Sequence, residues 1–257
     1  MNELRRVDRA RHRFHIKNTL VRDSLAEFLS TFYLLFMGNC VSLQHTITLN
    51  GKVYNEWIGV AVGWGMAIIM AGYMAHRTSG GHLNPAVTLF QVTQGKCGWD
   101  RFFYYTIAQF AGAFCGALLC FVVYKDAIEA FDGGVRQVSG PQATASIFST
   151  YPADYLSLGG AIVDQIVATM ILCIGNGAIS DKRNNVPAYL QPLFGGVLII
   201  SLGFSLGMNS GYAMNPARDF GPRLMTLVVG YGWEVISVFS NLIEKLSVIN
   251  TTPALNK

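Results

Sequence analysis

Long apolar stretches alternate with short polar ones along the whole chain. A spanning helix needs about 20 mostly apolar residues, and five segments reach that length: 25–46, 57–75, 102–124, 156–179 and 188–208. Two shorter stretches, 79–94 and 210–226, are moderately apolar, contain Asn-Pro, and are too short to cross. Irregular backbone at membrane depth survives only where it is buried in protein or lines a watery cavity. Both stretches are therefore expected to re-enter the membrane without spanning it. The pattern predicts an all-α, multi-pass membrane protein in one domain.

The two Asn-Pro stretches are copies of one another. Ser79-Gly80-Gly81-His82-Leu83-Asn84-Pro85-Ala86 and Ser210-Gly211-Tyr212-Ala213-Met214-Asn215-Pro216-Ala217 share Ser, Gly, Asn, Pro and Ala at the same spacing, and each follows the second span of its half. An acid also stands inside the first span of each half, Glu27 and Asp164. Three crossings separate the copies, so the second enters from the opposite face. An inverted repeat of this kind is the architecture of a transport pathway with its site near the midplane.

Charge sets the orientation. Of the 257 residues only 13% are charged, about half the share of a soluble domain. Residues 1–22 carry seven bases against Glu3 and Asp8, a net +5 that leaves about −1 for the rest of a +4 chain. Base confined to one arm excludes a nucleic-acid surface, which clusters base on a folded face. The tail, Arg77, Lys96, Arg101, Lys182 and Arg183 fall on one side of the membrane, and Lys52, Lys125 and Arg136 on the other. The positive-inside rule places the N-terminus in the cytoplasm, and the plasma membrane is the expected location. No cleavable leader is expected, since the first apolar run is long and lacks a small-residue cleavage site. Five cysteines, mostly in apolar runs and without C-x-x-C spacing, form neither a disulfide framework nor a metal site. Gly112 with Gly116, and Gly59 with Gly63, are expected to be close-packing pairs.

Asparagine before proline starts a helix, because Asn caps free backbone N–H groups and Pro at the first position loses nothing. Asn84-Pro85-Ala86 and Asn215-Pro216-Ala217 thus open two half-helices whose N-termini, each carrying roughly half a positive charge, meet at the membrane centre and repel cations and hydronium. The Asn84 and Asn215 amides are expected to direct an NH2 group at the path, donating to the oxygen of a water or a neutral hydroxyl. A water held by both donors does not relay a proton. The carbonyls of Gly81, His82 and Leu83, and of Gly211, Tyr212 and Ala213, are expected to stay unbonded and form a ladder of acceptors. Arg218 is a fixed cation beside the second loop, functional by default at that depth. Glu27 and Asp164 are read as braces accepting the loops' backbone N–H groups. Using them as proton carriers would require alternating access, for which nothing in the sequence argues. His82 is read as a structural loop histidine with a pH-sensing alternative. Gly203-Phe204-Ser205-Leu206-Gly207 matches the G-x-S-x-G hydrolase motif, but that motif needs a strand-turn-helix, and these residues lie inside an apolar span.

With these motifs in place, residues 22–234 resemble the major intrinsic protein family, the aquaporins, and within it the glycerol-conducting aquaglyceroporins. The resemblance rests on His82-Leu83-Asn84-Pro85-Ala86 and on the run from Gly211 to Arg223, where Asp219 and Arg223 match the glycerol branch. It implies a four-residue constriction of Trp64, Gly203, Tyr212 and Arg218, in which Gly203 leaves space, the rings face a solute's CH surface, and Arg218 donates to its hydroxyls. It also implies a homotetramer in the lipid bilayer that passes water, glycerol and similar neutral solutes, with no cofactor, metal or enzymatic activity. The family pattern calls for a sixth span, whereas 235–249 is short and interrupted by Glu244 and Lys245. The sequence therefore predicts a tail over 1–22, a channel domain over 23–234 with repeats at about 24–124 and 156–234, and a divergent 235–257 in which the sixth helix is truncated or replaced. The alternative is a non-conducting subunit that regulates full-length relatives.

Overall fold

The structure is a computed structural model that describes residues 8, 13 and 15–237. Among them are five helices long and apolar enough to cross a membrane. The first, α1 (Thr19–Thr46), opens on Asn18, whose side chain accepts from the Val21 N–H at 3.2 Å. It begins inside the stretch that the sequence assigns to the tail. Arg22 and Asp23 make its first turns polar, so hydropathy passes over them; Asp23 is buried and pairs with Arg22 at 2.9 Å and Arg101 at 3.4 Å.

A two-residue hairpin follows, β1 (Thr48–Leu49) antiparallel to β2 (Lys52–Val53). Its turn, Asn50-Gly51, has positive φ at both positions, the Asn-Gly signature of a tight hairpin that the reading for spans passed over. Next come α2 (Trp57–Ala75), the half-helix α3 (Pro85–Thr93), α4 (Trp99–Val123) and a short α5 (Lys125–Asp132) that Gly133 ends in the left-handed conformation. The second half comprises α6 (Leu158–Ser180), α7 (Gln191–Ser210) and the half-helix α8 (Pro216–Thr226), which runs on into a π-helical turn, Leu227–Tyr231. The α-helical part of the fifth span starts at Gln191 because Ala188–Leu190 is a 3-10 turn ahead of Pro192.

Glycines bring the spans together. A Cβ on Gly112 would stand 2.4 Å from the Phe28 carbonyl oxygen, and one on Gly116 2.4 Å from that of Phe32, so α4 lies with its backbone against α1. At the centre, Gly65 of α2 and Gly196 of α7 face each other's carbonyls, where a Cβ would come within 2.8 and 2.6 Å. Gly65 precedes Asn84 by the same interval as Gly196 precedes Asn215. The inverted repeat is therefore carried by the packing as well as by the loops.

The segment expected to replace a sixth helix, 235–257, lies almost wholly outside the described residues. Its first residue, Val235, is fully buried, and its carbonyl accepts from Arg223 Nη1 at 2.6 Å.

Candidate functional site

Six residues of α2 and its C-cap, Trp57, Val60, Trp64, Ile68, Gly72 and His76, line one cavity of about 580 Å³. They recur every three or four positions, one face of a helix, from one end of α2 to the other. The cavity therefore runs the full length of a spanning helix, roughly 30 Å at 1.5 Å per residue. Gln191, Pro192, Gly195 and Ile199 of α7 line it from the other half, and both Asn-Pro loops line its middle.

The two loops have the same backbone. At the fourth, third and first positions before each Asn, φ is positive: Gly80, Gly81 and Leu83 in one, Gly211, Tyr212 and Met214 in the other. Left-handed geometry at Leu83, Tyr212 and Met214 costs energy that only surrounding contacts offset. Those contacts are visible. Asn84 Oδ1 accepts from Ala86 N at 2.8 Å and Val87 N at 3.4 Å, and Asn215 Oδ1 from Ala217 N at 3.0 Å and Arg218 N at 3.2 Å. Each Asn amide also crosses to the opposite loop: Asn84 Nδ2 donates to Met214 O at 2.9 Å, and Asn215 Nδ2 to Leu83 O at 2.8 Å.

This exchange corrects two expectations. Only one N–H of each amide remains for the cavity, and the Leu83 carbonyl is engaged rather than free. The carbonyls of Gly81, His82, Gly211, Tyr212 and Ala213 accept no hydrogen bond among the described residues, and all five residues line the cavity.

Glu27 is fully buried beneath the first loop. One oxygen accepts from the Ser79 hydroxyl and from His82 N at 2.9 Å; the other accepts from Leu83 N at 2.7 Å and Gln109 Nε2 at 2.8 Å. The second half divides this task. Asp164 accepts from the Ser210 hydroxyl and from Asn209 Nδ2 at 3.0 Å but takes no loop N–H; Gln165 takes it instead, Met214 N donating to its Oε1 at 3.2 Å. Asp164 is thus a side-chain clamp, and the loop brace in register with Glu27 is its neutral neighbour.

Gln109 Nε2 also donates to Thr88 Oγ1 at 3.1 Å, and that hydroxyl donates to Asn84 O at 2.9 Å. His82 Nδ1, 3.2 Å from the same oxygen, is therefore its donor.

Toward the end of the cavity lined by Trp57 stand the four residues of the expected constriction. Trp64 donates its Nε1–H to Ser42 Oγ at 3.0 Å, and the Arg218 guanidinium lies 4.3 Å from the centre of its ring. Arg218 Nη1 donates to Phe148 O at 2.9 Å. Tyr212 stands edge-on to Trp57, ring centres 5.9 Å apart. Gly203 does not line the cavity: a Cβ there would meet Tyr212 Cζ at 3.0 Å. Its missing side chain makes room for the tyrosine ring, not for a solute.

The Phe148 carbonyl is itself held in place. Asp219 Oδ1 accepts from Thr150 N at 2.9 Å and Thr150 Oγ1 at 2.8 Å, and Arg223 pairs with Asp219 at 2.7 Å while donating to the carbonyls of Thr150 and Val235. The Asp219–Arg223 pair thereby fixes the loop that orients Arg218. Residues 15–241 match the family model described as "Major intrinsic protein". The chain belongs to the major intrinsic protein family. It is 46% identical over 232 residues to Aquaporin-9 of Homo sapiens, spanning 90% of this chain and 78% of that one. To Aquaporin-10 of Homo sapiens it is 41% identical over 223 residues, 86% and 73% of the two chains. Among solved structures it is similar to the aquaglyceroporin from Plasmodium falciparum, with a TM-score of 0.73, 28% identity and 84% of each chain covered. The major intrinsic protein fold accounts for the five spans, the two half-helices and the inverted repeat in one scheme.

Proposed function

We propose that the chain is a passive channel for water, glycerol and similar small neutral solutes, and that Trp64, Tyr212 and Arg218 form its selectivity filter with Gly203 behind the tyrosine. The observation that carries this reading is the cavity that follows α2 from end to end, with two cap-locked Asn amides at its middle and an Arg218–Trp64 pair at one end. Arg218 supplies hydrogen-bond donors on one side of the narrow end, and the Trp64 and Tyr212 rings supply apolar faces on another. A polyol has both kinds of surface, hydroxyls along one edge and CH groups along the other. Cations meet Arg218 and the positive ends of two half-helices, so neutral solutes pass and ions do not.

The exposed apolar residues of α2 and α6, among them Ile58, Met66, Ile162 and Ile166, face lipid or neighbouring copies in a homotetramer with one path per protomer. The orientation is N-terminus inside, at the plasma membrane. The non-conducting alternative was motivated by 235–257, and the family match and the Aquaporin-9 and Aquaporin-10 relatives do not favour it.

Parallel glycerol and water flux in proteoliposomes containing this chain alone tests the proposal. Both fluxes should rise well above those of empty vesicles. Water flux without glycerol flux would remove Trp64, Tyr212 and Arg218 as a polyol filter, and no flux from folded, inserted protein would end the channel reading.

A further inference from the structure

We propose that Cys40 and Cys120 form a redox-active dithiol, which a peroxide closes into a disulfide that locks α1 to α4. The glycine contacts between these helices bring the pair together. Gly112, Gly116 and Cys120 follow one another at intervals of four on α4, and the backbone that the two glycines press against advances along α1 from Phe28 to Phe32 and Phe36. The next step on α1 is Cys40. Helix axes ordinarily stand about 8–10 Å apart, whereas a disulfide needs Cα atoms within about 4.4–6.8 Å. Two successive glycines pressed on a facing backbone supply that closer approach. Cys40 and Cys120 are the two cysteines of one buried apolar cluster.

The surroundings determine which oxidant can act. Both sulfurs belong to an apolar cluster with Leu43, Ala117, Ile128, Ile147 and Phe148, and neither cysteine lines the cavity. Charged or bulky oxidants are excluded by that packing, whereas hydrogen peroxide is small and neutral. Cys40 is the more open of the two, at 9% exposure against 0% for Cys120, so it reacts first. Its sulfur attacks one peroxide oxygen, the O–O bond breaks, and a sulfenic acid and one water form. The Cys120 sulfur then attacks the Cys40 sulfur, and the hydroxyl leaves with the Cys120 proton as a second water. Two thiols are oxidised by two electrons and one peroxide is reduced to two waters. The orientation proposed above places both residues near the external ends of their helices, on the oxidising side of the membrane. The chemistry itself is independent of what the cavity conducts.

The test uses the full chain in proteoliposomes, treated with hydrogen peroxide, denatured, alkylated with a maleimide and digested without reductant. The expected product is a Cys40–Cys120 linked peptide pair, two hydrogens lighter than its parts and released by reductant. In Cys120→Ser, denatured in the presence of dimedone straight after the peroxide treatment, a dimedone adduct should accumulate on Cys40 several-fold above the wild type. Full alkylation of both cysteines after peroxide, or a link from Cys40 to Cys97, Cys115 or Cys173, would overturn the proposal. Mapping the wild type decides the matter even where a serine variant folds poorly. The oxidised wild type should also unfold at a higher temperature than the reduced form, and equal transitions would count against a lock between helices.

Discussion

Two glycines of the filter region are empty because aromatic rings occupy the space. A Cβ on Gly38 would stand 2.4 Å from the ring of Trp64, and one on Gly203 would stand 3.0 Å from that of Tyr212. Gly203→Ala should therefore push Tyr212 off α7 into the cavity, with Trp57 limiting sideways movement. Glycerol flux is expected to fall about tenfold, equivalent to about 1.4 kcal/mol of barrier, while water flux changes by less than about twofold because the smaller solute still fits. Stopped-flow light scattering measures both, and equal losses would show a folding defect rather than a narrowed filter. Asn84 and Asn215 were legible in the sequence because they belong to a duplicated motif, and Arg218 because it is a charge set directly after the second copy. Gly38, Ser42 and the Phe148 carbonyl were not. They act by position against a ring or a guanidinium from another helix, and no spacing in one dimension records that.

The half-helices owe their placement to side-chain acceptors beneath the loops, and the two halves differ in how many donors those acceptors take. Glu27 satisfies two backbone N–H groups and two side-chain donors, whereas Gln165 satisfies one backbone N–H. Each buried donor left without a partner costs about 1–3 kcal/mol. Glu27→Ala should then destabilise the protein by at least ~3 kcal/mol and Gln165→Ala by ~1–3 kcal/mol, read as the difference in thermal unfolding in detergent. Similar losses in the two variants would mean that the Ser79 and Gln109 side chains find other partners. The spans and half-helices themselves could be placed from hydropathy and Asn-Pro capping, with errors of a few residues where Arg22 and Asp23 or a 3-10 turn blur the edge. The division of the second brace between Asp164 and Gln165 was hidden, because an amide inside an apolar span draws less notice than a carboxylate. The Asp219–Arg223 pair was visible as a marker, but its work on the loop carrying Phe148 depends on a contact some 70 positions away in sequence.

At the scale of the whole molecule, the same arrangement that admits neutral solutes should stop protons. Each Asn amide is tied at its oxygen to its own half-helix and at one N–H to the other loop, so the remaining N–H groups keep a fixed direction. A water at that point accepts from the donors and turns its hydrogens outward along the cavity, interrupting the chain of identically oriented waters that proton hopping requires. The positive ends of both half-helices add an electrostatic barrier from either side. The inverted repeat matters here, because a single half-helix would orient water from one face only. Vesicles containing the chain and a trapped pH indicator should therefore take up glycerol quickly while an imposed pH difference decays no faster than in empty vesicles. A pH gradient should leave the glycerol rate unchanged within about 20%, less than 0.2 kcal/mol of barrier. Proton entry that scales with glycerol uptake would instead make Glu27 or Asp164 a carrier and require the path to open alternately to its two sides.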